Sequence, residues 1–415
     1  MFKFFVAGTL AVLAGFNALT ASAQTSTLSL EEAVRLAITA DDPAYSRFET
    51  RAQAKEDLSV ADAQLDDPKV NLRAQNFPVD SLAFNQEPMT QFRLGISQEL
   101  PRGDTLKLKG NKRLAEASVF RAERAALLDD VALQVRLSWL DLYLTDQELG
   151  QTRKAKNEID DLIDALAASF SQGQLTGQDV LRAELELTLL DDKIAELEQA
   201  GDIARANLSR FIGGNAQRPL PNALPPTKAL PTMGVLETAL TNHPRVEQLS
   251  AQIDVQRSEV AIAGEAYKPS WSVEGGYGLR GAGRPDFATI GVSFSVPLFT
   301  EKRQDRRASA ALKERAAAEL DRSALLLDLR RDLARNFADW TRLKTRVDLY
   351  DKAVLTRAND TVDASINAYG GGLTDFPELI RSQLAVLDAE TKRLRLQVAG
   401  AKARARISYL IGDLS

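Results

Sequence analysis

The chain has 415 residues, is 44% hydrophobic and 26% charged, and carries a formal net charge of −5. So much apolar material excludes wholesale disorder, and the length allows about two or three domains. Cysteine is absent and His243 is the one histidine. Disulfide frameworks, thiolate metal sites, a Cys nucleophile and a lipidated N-terminal Cys are therefore excluded, and a His-rich metal site is disfavoured. The mild acidity argues against nucleic acid as a partner, because phosphate binding needs a basic face.

Residues 1–23 combine Lys3, an apolar stretch from Phe4 to Leu13 and a small-residue Ala21-Ser22-Ala23 site. This reads as a secretory signal removed before Gln24, with an N-terminal anchor as the alternative. Beyond it there is no run of 18 apolar residues, so any membrane crossing must use strands.

From there the chain reads as one unit written twice. Pro43 and Pro68 lie 25 apart, as do Pro244 and Pro269, and the pairs match at an offset of 201. At an offset of 199, Phe170-x-x-Gly173 matches Tyr369-x-x-Gly372, Arg182 matches Arg381, Gly201 matches Gly400, and Ser209-x-x-Ile212-Gly213 matches Ser408-x-x-Ile411-Gly412. The expected division is a first repeat over 24–213, a proline-rich linker over 214–232 and a second repeat over 233–415.

In chain order, Ser29 caps a helical pattern from Leu30 to Leu65, which Pro68 stops. Two alternating segments follow, one begun by Val70-x-Leu72 and one at Phe92-x-Leu94-x-Ile96. A helical pattern of about 66 residues then runs from Asp104 to Ser169, about 100 Å at 1.5 Å per residue. Gly173 breaks it, and a last helix covers Gln178 to Ile212. The second half repeats this with strands at Trp271–Leu279 and Ile290–Val296 and a long helix over Glu301–Ala368. The shorter helices, end to end, match the long one, which predicts a tall helical wall. Leu187, Leu190, Ile194, Leu197, Gly201, Ala204, Leu208 and Phe211 keep a 3-4 alternation, and its counterpart from Val386 to Leu410 is broken only by Arg393. The pattern predicts coiled-coil packing, with Gly201 and Gly400 admitting close approach.

The strands alternate as membrane strands do. Phe92, Leu94 and Ile96 oppose Arg93 and Ser97. Trp271, Val273, Tyr277 and Leu279 oppose Ser272, Glu274, Gly276 and Gly278, and Ile290, Val292 and Phe294 lie on the last strand. A half-buried soluble sheet gives the same pattern in any one strand. Four strands cannot close a barrel with a lumen, so a membrane-spanning chain must share its barrel, and three copies would give twelve strands.

These features, with Asp42-Pro43, His243-Pro244 and the turn segments Phe170–Glu184 and Tyr369–Gln383, resemble the TolC-type outer-membrane efflux proteins over essentially the whole mature chain. Asn76–Lys109, whose strand ends in Ser-Gln-x-x-Pro before the long helix, resembles the heavy-metal or cation efflux branch. The resemblance implies a mainly α fold with a small β part, completed in a homotrimer as a twelve-stranded β-barrel on an α-helical tube that crosses the periplasm. It implies a periplasmic adaptor, an inner-membrane RND-type pump and outer-membrane lipid as partners, and a passive duct with no enzymatic activity and no cofactor. It also implies a closed periplasmic tip carrying acidic rings. By position after the turn glycines Gly173 and Gly372, the candidates are Asp179, Glu378 and, one turn earlier, Asp375, with Arg182 and Arg381 as partners able to hold the tip shut. Solvated helix-turn roles are the plainer reading of all five.

His243 reads as a residue that opens a helix rather than a ligand. Asp328–Arg335 reads as a solvated helix face, and Lys302–Arg307 as an interface or lumen patch just below the strands. No Walker loop or metal-ligand spacing occurs. Drug export or protein secretion by a channel of the same type remains open, as does a periplasmic or surface coiled-coil protein.

Overall fold

The computed structural model describes residues 27–170, 177–226, 229–281 and 283–413. The signal over 1–23 and the turn glycine Gly173 lie outside the described residues.

Helices α1 (Leu30–Ile38) and α2 (Pro43–Ala61) lead to strands β1 (Lys69–Gln75) and β2 (Gln91–Leu100). Then come α3 (Thr105–Phe170, 66 residues) and α4 (Gly177–Ile212). The same order returns as α5 (Met233–Ala239), α6 (Pro244–Glu265), β3 (Ser270–Arg280), β4 (Phe287–Ser295), α7 (Gln304–Leu349), α8 (Leu355–Gly370) and α9 (Phe376–Leu410). No helix among the described residues is long and apolar enough to cross a membrane.

The first helical pattern is two helices, not one. Asp42 caps α2 with its Oδ1 accepting from the Ala44 N–H at 2.8 Å, and Pro43 occupies the first turn, where its missing N–H costs nothing. The apolar rhythm continues across this joint, so periodicity alone runs the two together.

The long helices form a wall. Along α3, α2 lies against the upper half, with Lys55 paired to Glu116 at 2.6 Å, and α4 against the lower half, with Lys156 paired to Asp191 at 2.6 Å. The second half docks edge to edge on the first through α3. Glu148 of α3 accepts both Nε and an Nη of Arg395 in α9 at 2.6 and 2.9 Å, and Asp141 pairs with Lys402. The main core sits at mid-height, where Trp139 is fully buried among α1, α4 and α9 and donates to the Leu28 carbonyl at 3.0 Å. In the second half Leu236 and Leu240 pack against Leu329 and Leu333 of α7 in the same manner.

Two details depart from the sequence pattern. A single π-helical turn, Tyr350–Val354, divides the second long helix into α7 and α8. A π turn shifts the phase of the side chains that follow it. It presents Asp351 to Arg393, the residue that breaks the apolar stripe of α9, and the two form an ion pair. The stripes themselves are buried, at Leu190, Leu197, Ala204 and Leu208 and at Ala389, Leu396, Ala403 and Ile407. Gly201 and Gly400, however, do not mark close approach. An added Cβ would meet Thr145 at 3.7 Å and Leu343 at 3.9 Å, ordinary contact distances. The tight place is Gly110, where a Cβ would stand 2.9 Å from the Ser59 carbonyl oxygen of α2.

Candidate functional site

The four strands form one antiparallel sheet in the order β1-β2-β3-β4. Its register sorts the side chains completely. Leu72 lies opposite Leu94, Leu94 opposite Tyr277, and Tyr277 opposite Ala288. The neighbouring row holds Arg73, Arg93, Gly278 and Phe287, and a lower row holds Lys69, Ser97, Glu274 and Gly291. One face is thus almost wholly apolar and the other almost wholly polar. All the apolar positions singled out from the alternation, Phe92, Leu94, Ile96, Trp271, Val273, Tyr277, Ile290, Val292 and Phe294, are exposed in the chain, Ile290 to 85%. Among the described residues no helix covers them. On the polar face the long side chains lie flat across glycines: a Cβ at Gly276 would stand 2.8 Å from Nε of Arg93. β1 and β4 are edges with a free ladder on one side, arrangements that soluble proteins avoid. An exposed apolar face with two open edges requires lipid on the face and other strands at the edges.

The opposite end of the wall is the helix tip. Ile159 of α3, Ala183 and Leu190 of α4, and Phe376, Leu379 and Ile380 of α9 form one buried cluster, with Tyr369 at its margin. Helices α3, α4 and α9 are therefore joined here. Gly372 has φ +69°, a left-handed conformation that suits glycine and lets α8 turn into α9.

Asp375 is the N-cap of α9, and its Oδ1 accepts from the Glu378 N–H at 3.0 Å. The Glu378 carboxylate pairs with Arg381 one turn on, within the same helix, and both are solvent-exposed. Within one chain this is an intrahelical pair. Asp179, half-buried in the first turn of α4, faces Tyr369, whose hydroxyl pKa is raised by burial and then by the Asp179 charge. Arg182 lies exposed on the next turn. The structure thus brings Asp179 to the second half's turn, where Asp375, Glu378 and Arg381 stand in sequence. Tyr369 and Phe376, which hold the tip together with rings 6.1 Å apart, were not singled out by the sequence pattern. Tyr369 alone has a signal in the repeat, where it matches Phe170.

At mid-height the two halves meet through a buried polar joint. His243, 1% exposed, caps α6 by accepting from the Arg245 N–H on Nδ1 at 3.1 Å, and its ring stands edge-on to Tyr409 at 4.9 Å. Asp130 of α3 accepts the Tyr409 hydroxyl at 2.6 Å and an Arg245 Nη at 2.8 Å. Burial, reinforced by Arg245, lowers the His243 pKa to about 4. Beside it Asp129, 5% exposed, is raised to about 6 by burial and the Asp130 charge. Among the described residues no three His, Cys, Asp or Glu side chains form a metal-holding group.

An exposed apolar sheet with open edges, mounted on a helical wall of this length, defines the class: a protomer of an outer-membrane channel that extends into the periplasm. Residues 235–413, most of the second half, match the family described as outer membrane efflux protein. It is similar to the cobalt-zinc-cadmium resistance protein CzcC of Cupriavidus metallidurans, 21% identical over 390 residues that make up 93% of this chain and 90% of that one. Among solved structures it resembles the outer membrane protein VceC of Vibrio cholerae, with a TM-score of 0.74 at 14% identity, covering 92% of this chain and 96% of that one. It also resembles CusC, with a TM-score of 0.73 at 12% identity, covering 93% and 92%. The protein is an outer-membrane efflux channel component.

Proposed function

We propose that three copies of this chain form the exit duct of a tripartite efflux system for heavy-metal cations. After a signal over 1–23, each copy supplies two repeats, 24–213 and 233–415, joined by the linker 214–232. The observation that carries the trimer is the sheet. β1 and β4 run in opposite directions at opposite edges, so β4 of one copy pairs antiparallel with β1 of the next. Repeating that head-to-tail contact closes a ring, and three copies give twelve strands. A periplasmic adaptor and an inner-membrane RND-type pump deliver the cargo to the helical end. Metal cations as cargo are supported by the likeness to CzcC over nine tenths of both chains.

The tip is the gate in this reading. Three copies of Asp375, Glu378 and Asp179 around a narrow opening concentrate cations, and Arg182 and Arg381 limit the net charge. The N-cap role of Asp375 fits the same reading, because a capped first turn holds the acidic pair rigidly at the rim.

The absence of cysteine makes the assembly directly testable. Cysteines placed on β1 (Val70→Cys or Leu72→Cys) and on β4 (Ile290→Cys or Val292→Cys) are expected to cross-link between copies under oxidation. The expected products are covalent dimers and trimers, and nothing larger. A chain that remains monomeric in every combination overturns the shared barrel.

A further inference from the structure

The segment leaving β4 carries two unusual features side by side. Leu298 is 74% exposed and Phe299 90% exposed, just beyond the apolar outer face of the strand. Three residues later Lys302, Arg303, Arg306 and Arg307 follow, all exposed. None of the four has an ion-pair partner among the described residues, and Arg303 has only a 3.5 Å contact with Gln304. Of the nearby acids, Glu301 and Asp305, the latter accepting the Tyr267 hydroxyl at 2.7 Å, supply two charges against four.

This arrangement is locally unfavourable. The cations crowd the start of the 46-residue helix α7, the end at which the macrodipole disfavours positive charge. Arg303 stands three and four residues from Arg306 and Arg307, spacings at which like charges repel. Arg303 is the N-cap position and offers no capping side chain. The fold does not demand any of this. At the equivalent start of α3, Arg102 is satisfied by the Ala266 carbonyl at 3.1 Å, and the positions matching Arg306 and Arg307 at the 201 offset are Thr105 and Leu106.

We infer that Lys302, Arg303, Arg306 and Arg307, with Leu298 and Phe299, form a foot that binds the phosphate headgroups of anionic phospholipid in the periplasm-facing leaflet. An apolar wedge beside a basic cluster is the signature of an interfacial anchor. Its position, continuous with the apolar band and on the helical side of it, places the cations at headgroup depth. Acidic residues of a neighbouring copy would answer the charge but leave Leu298 and Phe299 unexplained. Three such feet fix the height of the barrel in the bilayer.

The inference rests on the barrel reading, and the test separates the two. The full chain is reconstituted into vesicles of phosphatidylcholine alone or with phosphatidylglycerol, and its heat dissociation is followed by gel migration. Wild type is expected to dissociate at a higher temperature with phosphatidylglycerol and to retain that lipid over phosphatidylcholine by about tenfold, as a screened cluster of cations at an anionic surface does. The combined Lys302→Gln, Arg303→Gln, Arg306→Gln, Arg307→Gln variant is expected to lose the shift while matching wild type in phosphatidylcholine. Arg303→Lys, Arg306→Lys, Arg307→Lys is expected to keep it. An undiminished shift in the Gln variant overturns the inference, as does equal weakening of that variant in both lipids, which points to acids of a neighbouring copy. A chain that inserts into neither lipid overturns the barrel reading, and the foot with it.

Discussion

Asp42 and His243 hold the same post in the two halves, each capping a helix that opens with Pro and each meeting the end of its half's last helix. Arg210 reaches Asp42 at 2.8 Å, and Tyr409, at the matching position, meets His243. The chemistry has diverged from an exposed ion pair to a buried aromatic joint. Two opposed pH dependences follow. His243 is held neutral, so the stability it contributes is present above its unfolded pKa of 6.5 and is lost as pH falls toward 4. Asp129 titrates near 6 instead of 3.8, so its burial costs stability increasingly as pH rises through that interval, with Asp130 and Glu247 opposing its charge and Arg136 favouring it. Asp129→Asn is therefore expected to stabilise the chain at pH 7 by about 3 kcal/mol and to change little at pH 4, by thermal unfolding in detergent. Equal effects at both pH values would show that charge is not the cause. At the tip, Asp375→Lys with Glu378→Lys should lower cation preference in single-channel recordings, and unchanged reversal potentials would remove the acidic rim from the mechanism. The sequence pointed to these tip residues by their spacing from Gly372, but spacing could not show that Arg381 spends its charge on Glu378 in its own helix. It could not find Asp129 or Tyr409 either, since their properties come from what a distant segment places around them.

At the scale of elements, lengths and stripes were legible, and interruptions were not. The 66 residues of α3 and both buried stripes follow from apolar period, whereas the joint at Pro43 and the π turn at Tyr350–Val354 keep that period well enough to hide in it. Glycine is equally ambiguous in sequence. Gly110 and Gly201 both interrupt long helices, and an alanine gains up to about 1 kcal/mol of helix propensity at either. Gly201→Ala meets only ordinary contact and is expected to stabilise the chain. Gly110→Ala drives its Cβ against the Ser59 carbonyl, a backbone atom, and is expected to destabilise it despite the propensity gain. Denaturant midpoints of opposite sign test the pair, and a shared sign would show that α2 yields easily. The strands were the most legible elements, because a period of two in a sheet without a covering layer leaves no tertiary override.

For the whole molecule, the apolar face and the open edges make assembly a condition of the fold. In the proposed reading, cargo is decided elsewhere, at the pump and adaptor. If metal cations are the cargo, deleting the gene should sensitise cells to cobalt, zinc, cadmium, copper or silver and leave tolerance to detergents and dyes unchanged. Sensitivity to dyes alone would move the channel to drug export. By itself the sequence determined the duplicated order of elements, the length of the helices, and which side of each strand is apolar, since all of these follow from local periodicity and the chain's internal repeat. The tertiary structure alone decided which charges are neutralised, which glycine marks a true close approach, and that α4 and α9 meet in one tip, because each depends on what separate parts of the chain place within a few ångströms of one another.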